Sequence, residues 1–305
     1  MNEKKYLTVK PFLKWAGGKS QLLEEIRKKY PAKIERYCEP FVGGGAVLLD
    51  VLANFQPKEV MINDVNSELI NTYEQIRDNA ENIIAKLSKM QGEFWDMDIE
   101  QRKEYYYSKR DRYNELISKS EPKTEKAALF VFLNKTCFNG LYRVNGKGFY
   151  NVPMGSYKKP PICDEENIRL ISRLLQNVQV QCGEYSECAD YIDNNTFVYI
   201  DPPYRPLSET SSFTSYAKAE FGDEQQIQLG HFIEQISKKG AKVVASNSDP
   251  HNTDENDNFF DDIYKMFFID RVVATRMINS NSKGRGAISE LLICNYRKED
   301  SYALR

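Results

Sequence analysis

The chain reads as an α/β protein, a mostly parallel seven-stranded sheet interrupted by a mainly helical insert. Three observations predict this. Short runs of β-branched and aromatic residues alternate with amphipathic stretches toward both ends of the chain. Strand signals vanish between about residue 67 and residue 163, where Lys, Tyr and Glu recur at helical spacing. Turns rich in Gly or Pro follow two of the strands at their C-terminal ends, where open α/β sheets place ligands.

The elements follow in order. Residues 10–30 run from a Trp-Ala-Gly-Gly-Lys turn into an amphipathic helix. Residues 37–41 read as a strand, followed by Gly43-Gly44-Gly45 and a helix through Leu52. Residues 60–63 form the next strand and end in Asp64; Asn66 or Ser67 caps the following helix, with Glu68 in its first turn. Helices are expected over residues 99–118 and 121–135, then a loop of Asn, Gly, Arg and aromatics from 138 to 157. Strands resume at 178–182, 197–200, 242–247, 263–269 and 291–296, with helices at 166–175 and 223–238. No internal repeat or low-complexity tract is visible. Residues 1–66 and 164–305 are thus expected to form the sheet-bearing domain, and residues 67–163 the insert.

Bulk properties narrow the function. With 305 residues and 41% hydrophobic content the chain can bury a substantial core. Residues 1–10 carry no apolar signal region, and the longest apolar run, 127–133, is too short to span a bilayer. The six cysteines include no Cys-x-x-Cys pair and there are two histidines, so neither a zinc site nor a disulfide framework is expected. Reduced thiols in a cytosol are the plain reading. Net charge is −2, yet basic residues outnumber acidic ones 13 to 5 between Arg102 and Pro160, and 8 to 3 in residues 1–30. A basic face on an acidic body suits a polyanion partner, although two solvated Lys-rich helical faces give the same counts.

The motifs carry more. Asp201-Pro202-Pro203-Tyr204 follows the apolar run Thr196-Phe197-Val198-Tyr199-Ile200. Proline has a fixed φ and no N–H, so the segment offers rigid hydrogen-bond acceptors beside one flat ring. That suits a planar amino group such as the exocyclic amine of adenine. Glu39-Pro40-Phe41-Val42-Gly43-Gly44-Gly45 links a strand to a helix. Glycines there let backbone approach a ligand, or simply make a tight turn. Asp64 stands 19 residues past Gly45, the spacing at which an acidic residue binds ribose hydroxyls. A carboxylate there also favours the helix that follows, but its pairing with Gly43-Gly44-Gly45 points to the ligand. Gly17-Gly18-Lys19-Ser20 resembles part of a phosphate-binding loop, but Leu13 stands where that motif requires Gly. Trp15 beside these glycines is either core or a stacking platform. Phe138-Asn139-Gly140-Leu141-Tyr142-Arg143 and Asn151-Val152-Pro153 flank a basic turn, 145–148. Asn and Arg read base edges and Phe or Leu wedges at a base step; a plain hairpin loop has the same composition. Loops 205–216 and 279–286, the latter with Lys283 and Arg285, contact phosphates, close over substrate or are ordinary surface. His231 and His251 read as structural or solvated.

Taken in order, Pro11-Phe12-Leu13-Lys14-Trp15-Ala16-Gly17-Gly18-Lys19, residues 39–45, Asn63-Asp64, residues 138–143 with 151–153, and Asp201-Pro202-Pro203-Tyr204 resemble Dam-type, α-group (D12 class) DNA adenine-N6 methyltransferases. The stretch from 206–210 to 213–216 is similar too. The resemblance covers nearly the whole chain. It implies a Rossmann-like methyltransferase sheet, S-adenosylmethionine as donor with S-adenosylhomocysteine as product, no metal, and duplex GATC as target. It implies a donor pocket of Trp15, Ala16, Gly17, Lys19, Pro40, Phe41, Gly43, Asp64 and Asp201. It implies base and backbone contacts from Lys14, Leu141, Arg143, Pro153 and Tyr157, with Phe138 and Asn139 at the opened adenine. The family commonly has Tyr where Phe138 stands; stacking survives that change, a hydroxyl contact does not. The spacer 145–150 varies within the family.

The chemistry so implied is direct transfer. Asp201 and the Pro202 carbonyl accept the two N6 protons as hydrogen bonds, Pro203 stiffens the segment, and Tyr204 stacks on the flipped base. A monomer acting on double-stranded DNA in a bacterial or phage cytoplasm is expected, alone or beside a cognate restriction endonuclease. Transfer to RNA adenine or a protein glutamine amide, and a DNA-binding protein without catalysis, are the alternatives. Substrate choice separates the first two, and donor binding the third.

Overall fold

The computed structural model describes residues 6–205, 221–275 and 287–297. The expected segments 206–210 and 213–216, and the loop 279–286 with Lys283 and Arg285, lie outside the described residues.

Seven strands, β1 (Arg36–Glu39), β2 (Glu59–Asp64), β3 (Val178–Cys182), β4 (Thr196–Ile200), β5 (Lys242–Ser248), β6 (Phe268–Thr275) and β7 (Ala287–Cys294), form one sheet. Their order is β3-β2-β1-β4-β5-β7-β6. β1 runs parallel to β2 and to β4, and β4 parallel to β5. β7 lies antiparallel between β5 and β6. The expected mostly parallel, seven-stranded α/β sheet is what forms. The helices are α1 (Leu23–Lys29), α2 (Ala46–Phe55), α3 (Ser67–Asp78), α4 (Ala80–Asp96), α5 (Ile99–Ile117), α6 (Lys123–Thr136), α7 (Glu165–Leu175), α8 (Asp223–Lys238) and α9 (Phe259–Ile263).

By contacts the chain divides into two compact units: Met1–Gly18, Gly43–Asn54 and Asp64–Cys182 in the first, Lys19–Val42, Phe55–Asn63 and Gly183–Arg305 in the second. The second is built on the central strands. Every residue of β4 is buried, because a parallel strand covered on both faces must be apolar on both. Leu229, Phe232, Ile233 and Ile236 of α8 close one face together with Val243 and Ala245 of β5. Each of these Leu, Ile, Phe and Val side chains contributes about 1.5–3 kcal/mol on burial. The chain turns outward from β1 to β2 and later returns to β4 on the other side of β1. This reversal is the switch point at which doubly wound sheets open a crevice beyond the strand C-termini.

Two expectations are corrected in this unit. The strand expected at 263–269 begins at Phe268 and runs to Thr275, and residues 259–263 are helical. Phe260 and Tyr264 are both buried and stack with centroids 6.3 Å apart, and a turn closed by Phe267 N–H on Tyr264 O at 2.8 Å separates the helix from the strand. The last strand begins at Ala287 and ends at Cys294, earlier than expected.

The first unit is mainly helical. α6 buries ten of its residues, including the whole apolar run 127–133, as expected of a helix covered on all sides. α5 buries Tyr106, Tyr113 and Leu116, and Arg102, Lys103, Lys109, Arg110 and Arg112 are among its remaining positions. Asp98 and Gln101 form its capping box. Asn66, one of the two expected caps, accepts from Glu68 and Leu69 N–H at the start of α3. Glu68 in turn pairs with Lys126 at 3.2 Å inside the bundle. α4 was not singled out by the sequence reading, although Ile83, Ile84, Leu87, Met90 and Phe94 form its buried stripe. No helix among the described residues is long and apolar enough to cross a membrane.

Candidate active site

In the second unit, Pro40 and Phe41 leave the end of β1, and Asp201-Pro202-Pro203-Tyr204 leaves the end of its neighbour β4. Lys19, in a short 3-10 turn, places Nζ 2.7 Å from Asp201 Oδ1. Ser246 Oγ on β5 donates to the same oxygen at 2.9 Å. Lys19 is only 4% exposed, so this charge-assisted pair is shielded from water and strong. Lys19 Nζ also lies 4.7 Å above the Tyr204 ring, within cation–π range. Tyr204 donates its hydroxyl to Glu290 at 2.5 Å. Burial, with the Asp201 and Glu290 charges adding, pushes its phenol well above the ordinary range, so the ring stays neutral. Phe41 stacks on Tyr185 with centroids 5.1 Å apart, and Phe221 meets it edge-on at 6.0 Å. Asn63 fixes the turn by donating to the Pro40 and Gly183 carbonyls at 3.0 and 2.9 Å.

In the first unit, Asp64 Oδ2 accepts from Gly43 N–H at 3.1 Å and Oδ1 from Asn66 N–H at 3.0 Å. Burial raises the Asp64 pKa, and these backbone bonds oppose the rise. Gly43 sits at φ +46, and a Cβ there would stand 3.0 Å from Trp15 Cδ1 and Nε1. The indole therefore lies directly on the glycine turn. On its other contacts Trp15 stacks with Tyr142, centroids 5.9 Å apart and planes 24° apart. Ala16 and Gly17 occupy a turn closed by Gly18 N–H bonding to Trp15 O at 3.0 Å.

The same unit carries the candidate base-reading residues, and one buried amide organises them. Asn134 accepts from Lys14 N–H at 2.8 Å and donates to Lys14 O at 2.7 Å and Gly140 O at 3.0 Å. Gly140 has φ +65, and a Cβ there would lie 2.4 Å from Lys14 Cβ; no other residue fits. Lys14 Nζ lies 3.9 Å over the Tyr157 ring. Phe138 N–H donates to Pro153 O at 2.9 Å, and the Phe138 ring is 51% exposed. Asn139, exposed, takes φ 55 beside it. The Leu141 carbonyl accepts from Tyr150 Oη at 3.1 Å. Arg143 is exposed and donates from Nε to Asn151 Oδ1 at 2.7 Å, which aims its guanidinium. Lys135, at the end of α6, has its pKa pushed down to about 8 by burial, with the Lys14 charge adding.

Sequence reasoning did not single out Asn134, Ser246 or Glu290, and gave Tyr142 no role of its own within the 138–143 motif. Asn134 had one available signal, a polar residue directly after the apolar run 127–133. The other three acquire partners only through tertiary folding.

Known proteins give this geometry a family. The chain is 47% identical over 296 residues to the type II methyltransferase M.MjaIII of Methanocaldococcus jannaschii, covering 95% of this chain and 100% of that protein. It is 40% identical to the type II methyltransferase M1.LlaDCHI of Lactococcus lactis subsp. cremoris, covering 96% and 98%. It is 34% identical to the DNA adenine methylase of Escherichia coli K12, covering 92% and 93%. Residues 15–278 match the D12 class N6 adenine-specific DNA methyltransferase family. The chain belongs to that family, and is an enzyme that methylates adenine in DNA at N6.

Proposed function

We propose that this enzyme transfers the methyl group of S-adenosylmethionine to N6 of the adenine in duplex GATC, after turning that adenine out of the helix. One observation carries the reading: Asp201, at the end of β4, is held through Oδ1 by Lys19 at 2.7 Å and Ser246 at 2.9 Å. A carboxylate so fixed keeps its direction while a substrate amine approaches.

The residues present fit the donor. Asp64 accepts backbone N–H groups of Gly43 and Asn66, with Val65 adding a further one, and a carboxylate accepts about four hydrogen bonds, which leaves capacity for a ribose hydroxyl. Lys19 and Asp201 present one charge of each sign, suited to a zwitterionic amino-acid end. The family resemblance adds Trp15, Ala16, Gly17, Pro40, Phe41 and Gly43 as the other proposed donor contacts. The donor supplies an electrophilic methyl group on a sulfonium.

Everything else falls to the protein. Adenine N6 is a weak nucleophile because its lone pair is delocalised into the ring. Asp201 Oδ2 and the Pro202 carbonyl accept its two N–H groups, which directs the lone pair away from the ring. Pro203 keeps the segment stiff and Tyr204 stacks on the base. Extruding the base costs a few kcal/mol; in this reading Phe138 and Asn139, both exposed, act at the opened adenine. Residues 67–163 form the target-recognition insert, and Lys14, Leu141, Arg143, Pro153 and Tyr157 contact the site. The type II names of two relatives support a partnership with a cognate restriction endonuclease.

The test is to methylate a random-sequence duplex library with labelled donor and map the modified adenines. Modification confined to GATC supports the reading; a different common sequence refutes the specificity. In parallel, Asp201→Ala is expected to bind duplex DNA yet transfer almost no label, and near-normal transfer refutes the catalytic assignment.

A further inference from the structure

We propose that Gln226 is a positioning residue for the adenine-holding segment, acting through the Pro203 carbonyl; this rests on the reading of Asp201-Pro202-Pro203-Tyr204 given above. Gln226 is in the first turn of α8 and has 0% exposure. Its Nε2 donates to Pro203 O at 3.0 Å. Its Oε1 accepts from Asn247 Nδ2 at 3.0 Å. Asn247, 2% exposed at the end of β5, accepts from Ser248 N–H through Oδ1 at 2.9 Å.

The direction of this relay is fixed. A backbone N–H can only donate, so Asn247 must turn its oxygen to Ser248 and its nitrogen to Gln226. Gln226 must then turn its own nitrogen to Pro203. Neither Pro202 nor Pro203 has an N–H, so carbonyls alone can tie the middle of the segment to the fold. Ser246 secures Asp201 and Glu290 secures Tyr204. Gln226 secures the peptide between them and hands its orientation to the sheet. With the Pro203 carbonyl committed to Gln226, the neighbouring Pro202 carbonyl and the Tyr204 ring are set relative to Asp201. Preorganisation of this kind shows in the rate more than in affinity.

The experiment is single-turnover methyl transfer at saturating donor and duplex, with separate measurement of donor and DNA affinity. Gln226→Glu keeps the shape and replaces the N–H donor by an oxygen facing a carbonyl. Its rate is expected to fall about 10- to 100-fold, with both affinities within about threefold of the parent. Asn247→Asp removes the next link and is expected to lower the rate similarly. The double variant should fall less than the product of the two single effects. If Gln226→Glu does not fold, Gln226→Met and Asn247→Asp make the same measurement. Parental rates in folded variants overturn the inference, as does a rate loss matched by an equal loss of DNA affinity. Asp201→Ala separates the two claims. If it is inactive while the Gln226 and Asn247 variants run at parental rates, only the positioning role fails. If it is active, the reading of the segment itself fails.

Discussion

Asn134→Ala is the perturbation whose size follows most directly from the structure. The amide satisfies three backbone groups: Lys14 N–H at 2.8 Å, Lys14 O at 2.7 Å and Gly140 O at 3.0 Å. Asn134 is buried, so alanine leaves all three short of a partner in a site of low water access. At about 1 kcal/mol net per hydrogen bond the loss is about 3 kcal/mol. For a chain of this size that corresponds to a fall in Tm of about 5 °C. Asn134→Asp keeps the shape and one acceptor but sets an oxygen against two carbonyls, so it should lose at least as much. Urea unfolding followed by circular dichroism reads the stability. Hydrogen exchange at Lys14 and around Gly140 reads the local effect, which should be a selective loss of protection. A stability change under about 0.5 kcal/mol, or protection lost uniformly across the unit, refutes the view that Asn134 ties Lys14 to the 138–141 loop.

The remaining predictions concern recognition, pH and the Tyr204 clamp. Arg143→Ala should relax discrimination at one base pair by about 1–3 kcal/mol; unchanged specificity in a mismatch series removes Arg143 from direct readout. Lys135 titrates near 8 in the fold against an ordinary value of 10.5, so its charge costs stability below about 8, and that cost disappears as pH rises from 8 to 10.5. Lys135→Met should therefore be more stable than the parent at neutral pH, with the difference shrinking toward pH 10.5; urea melts at both ends of the range decide it. Tyr204→Phe keeps the aromatic ring and removes the 2.5 Å bond to Glu290. It should cost about 1 kcal/mol of stability and lower the transfer rate more than DNA affinity, and an equal fall in both would contradict that.

Legibility in the sequence followed the range of the forces involved. β4 could be read because a strand buried on both faces must be apolar throughout, and all five of its residues are buried. The Asn66 cap could be read because capping acts within one helical turn. Asp64 beside Gly43 was suggested by spacing alone, and the Gly43 N–H does bond its carboxylate. α4 was missed, although its buried stripe was present in the sequence, because its polar residues obscured it. The start of β6 was misplaced because residues 264–267, apolar and aromatic enough to read as strand, form a turn in which Phe267 N–H bonds Tyr264 O at 2.8 Å.

By itself, the sequence determined the alternation of strands and helices and the local turns. It also determined which chemical groups the chain carries, since each of these depends on neighbours in the chain. Tertiary structure alone decided that Lys19 and Ser246 meet on one oxygen of Asp201. It alone decided that Asn134 joins Lys14 to Gly140, and that Gln226 closes on Pro203. A hydrogen bond tolerates only tenths of an ångström. Partners far apart in sequence reach that tolerance only after the packed core has fixed the strands and helices that carry them.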